Sequence, residues 1–423
     1  MTRVAAIELT CLYGPLVSAG LAAWWKRPSK ALATGVLFSL LWNLSLLPWL
    51  DSSARMAGLW SYHSTGPALG GMPLALFLGW GIAWGVFAPL LANALGNRIW
   101  ITVALLVAID LRTMPEMVPV LELHRLWFFG EIAVAAILLV PGLWLARWTE
   151  THARTEIRCA MLVPLFGGVF LGTPLLLTCR DLAGVLALWN MHSEISKILF
   201  LAGTSIFAVP GLTAVRDLAR SGGGTPVPLD PPRRLVTHGI YAFFRNPMQF
   251  SMTGLLLLEA VFLMSHWPVI LALLGAVYSE GFARWSESQD MDKRFGEAWH
   301  RYRKAVRPWW PTWRPAIGAP CELWIDRSCG TCSEVQAWFE QRSPQKLLFH
   351  DANDWRGKPL SRITWHHPAS GRTESGVCAV AMALQHLSLP FAVSGWIAWL
   401  PVISHVLQIC MDAAGAGKRV VES

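Results

Sequence analysis

Nine apolar runs constrain this chain more than any other feature: Val4–Trp25, Ala31–Leu50, Pro73–Leu95, Trp100–Leu111, Leu126–Ala146, Cys159–Thr178, Ile198–Val215, Phe250–Met264 and Pro268–Trp285. Crossing about 30 Å of hydrocarbon takes roughly 20 helical residues. Backbone groups inside lipid must pair within their own segment, so each run reads as a membrane helix. The fourth is cut short by Asp110 and Arg112. About nine spans are expected, in a mainly α, polytopic membrane helical bundle. Of the 423 residues, 54% are hydrophobic and 15% charged, against about 25% charged in soluble domains. That balance excludes an ordinary soluble protein. No charged segment followed by a short apolar core and a small-residue cleavage site opens the chain, so the first run is expected to be retained.

The formal net charge of +8 gathers in alternate loops: Lys26, Arg27 and Lys30; Arg98; Arg147, Arg154 and Arg158; then Arg216, Arg220, Arg233, Arg234 and Arg245. By the positive-inside bias the N-terminus faces out, while the Gly222–Asn246 loop and the C-terminus face the cytoplasm, as in a bacterial inner membrane. A basic membrane-facing surface accounts for the charge, so membrane lipids rather than nucleic acid are the expected partners. Trp pairs such as Trp24-Trp25 and Trp309-Trp310 sit where apolar runs meet charge, as interfacial aromatics do. Gly79 to Gly85 carries small residues about one turn apart, a close-packing pattern. Glu8, Asp110, Glu131, Glu259 and Glu280 lie within or near spans, where an acid needs a partner or a polar cavity. Each is read either as a structural acid or as a functional one. Glu280 is the favoured functional acid, because it leads into the second motif described next. No inverted repeat or pair of broken helices points to a transporter.

From Gly222 to Pro308 the order changes. The stretch opens GGGTPVPLDPPRRLVTHGIYAFFRNPMQFS, passes through two apolar segments and closes WSESQDMDKRFGEAWHRYRKAVRPWWP. Gly239, Tyr241, Arg245, Asn246, Pro247 and Gln249 form one block; Glu287, Met291, Phe295, Gly296, Trp299 and Tyr302 form the other. In order and spacing these resemble the isoprenylcysteine carboxyl methyltransferase and phospholipid methyltransferase superfamily of membrane enzymes. Its pattern reads roughly G-x-Y-x-x-x-R-H-P-x-Y, then E-E-x-x-L-x-x-x-F-G-x-x-Y-x-x-Y. Asn246 stands here for the family's His, Gln249 and Trp299 for Tyr, and Ser288 for the second Glu.

The resemblance implies S-adenosyl-L-methionine as cofactor and a lipophilic small molecule or lipid as substrate. It carries cofactor binding to Leu235, Val236, Gly239, Tyr241, Asn246, Pro247, Met248, Gln249, Glu287 and Tyr302, and catalytic roles to Arg245, Arg284 and Glu287. Methyl transfer from a sulfonium needs chiefly in-line positioning. A carboxylate such as Glu287 can pair with the cofactor's ammonium group. Arg284 reads equally as an interfacial anchor; Arg245 reads as a phosphate-binding or a positive-inside residue, and its place directly before Asn246-Pro247 favours the functional role.

After Pro320 the composition becomes that of a small α/β domain. Glu322–Asp326 reads as a buried strand, and Ser328 to Cys332 opens an amphipathic helix through Gln341. Leu347–His350 and Arg362–His366 read as strands, His367 to Arg372 as a turn, and Val377–Leu387 and Ile397–Met411 as helices. Of eight cysteines only Cys329 and Cys332 have informative spacing. A C-x-x-C at a helix start after a strand is a thioredoxin-like order, and Asp326-x-x-Cys329-x-x-Cys332 resembles the DCC family of thiol-disulfide oxidoreductases. A helix N-terminus favours the thiolate, so this pair reads as redox-active. The other readings are a redox-silent domain, or half of a zinc site completed by His366 or His367; no metal is expected.

The expected domains are membrane helices over 1–195, a catalytic membrane region over 196–315 and a cytoplasmic thioredoxin-like domain over 320–423. The leading function is methyl transfer to a lipophilic acceptor. Two other classes remain: a membrane thiol-disulfide oxidoreductase with a degenerate methyltransferase fold, and a non-catalytic scaffold or transporter.

Overall fold

Six of the apolar runs form helices long enough to cross a membrane: Arg3–Trp25, Lys30–Met56, Leu74–Ala94, Trp127–Glu150, Thr155–Cys179 and Glu194–Gly222. The computed structural model describes residues 3–63, 66–227, 230–328, 330–356 and 360–416, with the backbone alone at 282–283, 286–289, 331 and 415–416. The remaining three runs fall short of the expected nine spans. Ile99–Thr113 has 15 residues and ends beside Arg112 and Pro115. Pro247–Leu263 has 17, and Trp267–Tyr278 follows after a break in which Met264 takes φ 48°. A further pair, Leu389–Trp399 and Pro401–Ala414, is apolar enough to count as a seventh candidate but is bent by 90°.

The chain divides into two compact units, Met1–Leu201 with Leu256–Ala272, and Ala202–Leu255 with Leu273–Ser423. The first is a helical bundle whose core is lined by Trp60, Met72, Leu76, Trp84, Leu121, Leu138 and Leu139. The small-residue stretch packs as its spacing predicts: a side chain at Gly79 would strike the Cys11 carbonyl, and one at Gly85 would lie 2.5 Å from the Leu40 Cα. Two buried acids here accept from neighbouring donors, whereas Glu259 Oε2 is buried without a hydrogen bond among the described residues. Asp110 accepts from Trp84 Nε1 at 3.0 Å. Asp51, which local pattern did not single out, accepts from Tyr62 at 2.6 Å, Trp60 at 3.0 Å and Arg55 at 2.9 Å.

In the second unit, a four-stranded sheet has the order Leu347–Asp351, Cys321–Ile325, Thr364–His367, Arg372–Ser375. The first pair is parallel and joined through the helix Gly330–Glu340; the other two pairings are antiparallel. Cys321, Leu323 and Ile325 point into one core with Phe339, Trp365, Met382 and Trp399. The helix expected over Ile397–Met411 is instead two. Leu400 takes φ −60° and ψ 140° before Pro401, because a proline pushes its predecessor out of the helical region and cannot donate the next hydrogen bond.

Candidate functional site

The two motif blocks meet through the backbone. Arg245 N donates to Arg307 O at 2.9 Å and Asn246 N to Pro308 O at 3.0 Å, while Thr312 N reaches Phe243 O at 3.0 Å and Ala316 N reaches Ala242 O at 2.8 Å. The segment after the basic helix thus runs alongside residues 242–246. Tyr302 adds a side-chain tether, its buried hydroxyl donating to the Tyr241 carbonyl at 2.9 Å. Burial pushes the Tyr302 phenol above its ordinary value, which keeps it a donor. Leu235, Val236, Tyr241, Met248, Trp299 and Tyr302 share one apolar cluster with Phe243, Phe244 and Trp396.

Two motif glycines have identifiable backbone reasons. Gly239 takes φ 66°, and a side chain there would strike the Asp217 carboxylate; Ile240 N donates to the same carboxylate at 3.1 Å. Gly296 takes φ 47° and ψ −123°, a region open almost only to glycine, and it kinks the helix Arg284–Ala305.

Around this junction, polar atoms remain without partners. Arg245 Nε, Gln249 Oε1 and Trp299 Nε1 are buried and make no hydrogen bond among the described residues. The Arg245 guanidinium lies 5.9 Å from the Trp299 ring centre, and no ion pair reaches it among the described residues. Burial above all pushes Arg245 below its ordinary value, with repulsion from Arg303 and Arg284 in the same sense. An arginine stays charged in a protein, so this one is a half-buried cation that makes no ion pair among the described residues, with the Glu280 carboxylate acting on it from a distance. Met248 and Gln249 occupy the first turn of Pro247–Leu263, where helix N–H groups have no internal acceptor.

Arg284 is placed differently. Its side chain is 57% exposed and pairs with Glu280 at 2.7 Å, and Glu280 also accepts from Trp309 Nε1 at 2.5 Å. Exposed pairs of this kind contribute about 0–1 kcal/mol. The side chain of Glu287, and all of Cys329, lie outside the described residues; Cys332 is half-buried in the helix Gly330–Glu340. His366 bonds Glu322 at 2.9 Å and His367 bonds Ser370 at 2.7 Å. No group of three His, Cys, Asp or Glu able to hold a metal occurs among the described residues.

A set of residues that local pattern did not mark lies beside the Gly239 loop. Arg372 Nη1 sits 3.6 Å from Asp217 Oδ1, its Nε sits 3.0 Å from Glu374, and Nη1 donates to Ser221 Oγ at 2.7 Å. Arg220 pairs with Glu374 at 2.8 Å. Ser221 Oγ and His238 Nε2 are 2.9 Å apart; burial, then Arg372, pushes His238 well below its ordinary value. A neutral His238 therefore accepts the Ser221 proton, while Ser221 accepts from Arg372. The local hints were the acid Asp217 just past the apolar run Ile198–Val215 and the loop charge Arg220 after it.

The phospholipid methyltransferase family matches residues 199–298, a stretch that holds the first motif block and most of the second. No curated protein and no solved structure matches the chain. The matched stretch points to a membrane methyltransferase acting on lipid.

Proposed function

We propose that the Gly222–Pro308 stretch binds S-adenosyl-L-methionine and transfers its methyl group to a lipophilic acceptor in the membrane. The observation that carries this reading is Arg245 without an ion pair, together with Gln249 and Trp299 atoms without hydrogen bonds, among the described residues, within the stretch similar to phospholipid methyltransferases. Those groups offer both donors and an acceptor, which suits a zwitterionic ligand. When bound, the cofactor would supply an electrophilic methyl on a sulfonium. Arg245 and the first-turn N–H groups of Met248 and Gln249 would hold an anionic group, as helix N-termini do, and Glu287 would hold a cationic one. Leu235, Val236, Tyr241, Asn246, Pro247 and Tyr302 would shape the wall and exclude water. Positioning of this kind supplies most of the rate when the donor is already activated.

Calorimetry on the full chain in detergent, with S-adenosylhomocysteine as titrant, tests the reading. Arg245→Ala and Glu287→Ala are each expected to weaken binding more than about tenfold, since a charged hydrogen bond contributes roughly 1.5–3 kcal/mol. No binding by the parent protein, or unaltered affinity in both variants, would sink it.

For residues 320–423 we keep the thioredoxin-like reading. A central strand with a parallel neighbour reached through a helix, and an antiparallel hairpin on its other side, supports it, as does C-x-x-C at that helix start. Functionally, 196–315 would be the catalytic region, with its loops on the cytoplasmic side where Arg216, Arg220, Arg233, Arg234 and Arg245 concentrate. The two chemistries would then be separate. Cys329→Ser with Cys332→Ser is expected to leave S-adenosylhomocysteine affinity within about twofold, or under roughly 0.5 kcal/mol, while abolishing dithiol activity toward a disulfide substrate. A tenfold loss of affinity would instead tie the thiols to the cofactor site.

A further inference from the structure

The bent C-terminal pair is built unlike a soluble-domain end. Leu389–Trp399 and Pro401–Met411 have 11 residues each, about 16 Å of helix, or roughly half the hydrocarbon thickness. Neither crosses a membrane, yet together they are as apolar as a span. The first helix is anchored inside the second unit. Trp396 packs against Phe243 and Phe244, and its carbonyl accepts from Thr213 Oγ1 at 3.4 Å. Trp399 is fully buried, with Arg216 3.8 Å over its ring. Thr213 and Arg216 belong to the span Glu194–Gly222, which also exposes Ile206 and Leu212 in the manner of a lipid-facing helix.

The second helix has two distinct faces. Inward, Ser404 is buried and Gln408 Oε1 accepts from Val377 N at 2.9 Å. Outward, Val402, Val406 and Ile409 are 76%, 53% and 69% exposed. Their spacing of four and three residues puts them on one stripe. PVISHVLQICM contains no Asp, Glu, Lys or Arg, and the exposed His405 beside the stripe has its Nδ1 turned back to the Pro401 carbonyl at 2.5 Å.

We infer that Pro401–Met411 is a membrane-interface helix whose Val402, Val406 and Ile409 stripe is buried in the acyl region of the bilayer. The occupant of this face is lipid because the helix continues from one anchored on a membrane span and carries no charge between Pro401 and Met411. The C-terminal sheet is thereby attached to the membrane surface at its far end as well as through Glu194–Gly222. This inference is independent of the chemistry proposed for the site.

The test reconstitutes the full chain in phosphatidylcholine and phosphatidylglycerol vesicles, with a bimane label at Val402→Cys, Val406→Cys or Ile409→Cys in a background whose eight native cysteines are replaced by serine or alanine. Brominated lipid is expected to quench the three labels at least threefold more than a label at the exposed Glu340→Cys, and aqueous iodide to quench them at least threefold less. Equal access to iodide at all four positions would overturn the inference. So would shielding that vanishes on dilution of protein in lipid, which would mark a second copy of the chain as the occupant. A diazirine-bearing lipid applied to the unlabelled wild-type protein needs no variant: adducts within Pro401–Met411 support the inference, and their absence there, with adducts on Arg3–Trp25, refutes it.

Discussion

Arg372→Ala is expected to lower the stability of the second unit by about 3–5 kcal/mol, the usual cost of removing one partner from a buried charge network. Asp217 is fully buried, and its Oδ1 makes no hydrogen bond among the described residues; the Arg372 guanidinium at 3.6 Å is its nearest compensating cation, with Arg216 acting in the same sense. Glu374 would keep Arg220, so most of the penalty falls on Asp217 and on Ser221, which loses a 2.7 Å donor. Arg372 also lies 4.8 Å over the Trp399 ring and 5.6 Å over Trp365, so its stem fills space that alanine would leave open. Against a total stability of roughly 5–15 kcal/mol for a domain, such a loss is large. Thermal unfolding in detergent, followed by intrinsic fluorescence, reads it. Pairing the change with Asp217→Asn is expected to return part of the loss, because the uncompensated charge is then gone. An unchanged melting temperature in Arg372→Ala would mean that the carboxylate is satisfied by other means.

Acidification is expected to destabilise the same unit before most carboxylates titrate. His386 is enclosed, with Nδ1 2.7 Å from the Gln345 carbonyl and Nε2 accepting from Trp365 at 3.2 Å. Both nitrogens are therefore committed to the neutral ring, and burial pushes the group down from 6.5 to about 4. A base with a depressed folded value contributes stability that is complete above its ordinary value. That stability is lost as the pH falls, because the unfolded chain then takes up the proton first. The window opens near 6.5 and closes near 4; between pH 7 and pH 5 the loss from His386 alone is about 2 kcal/mol. His238, also held well below its ordinary value by burial and Arg372, acts in the same sense. Denaturant midpoints across that range should fall with pH, and His386→Gln should flatten the slope whatever it does to the midpoint at pH 7. A slope unchanged by that substitution would remove His386 from the effect.

What was legible in the sequence were the features that depend on neighbours within a few residues. Apolar runs of sufficient length became membrane-length helices at six of nine places, and alternation around Leu323 and Phe349 became parallel strands. Composition alone excluded a soluble protein, and the motif spacing located the stretch that resembles methyltransferases. Local pattern placed the break between Met264 and Pro268 but counted the short runs on either side of it as full spans, and it read one helix through Leu400 although Pro401 breaks it.

Only the tertiary structure decided which charges are satisfied. Arg245 and Arg284 look alike in the sequence, yet one is half-buried with no ion pair among the described residues and the other is paired with Glu280 at the surface. Asp217 meets Arg372 across 155 positions of chain, and Trp399 meets Arg216 across 183. Helical and strand periods follow from backbone geometry that repeats every few residues. A buried ion pair instead depends on where two remote segments dock, and no local spacing in the sequence encodes that distance.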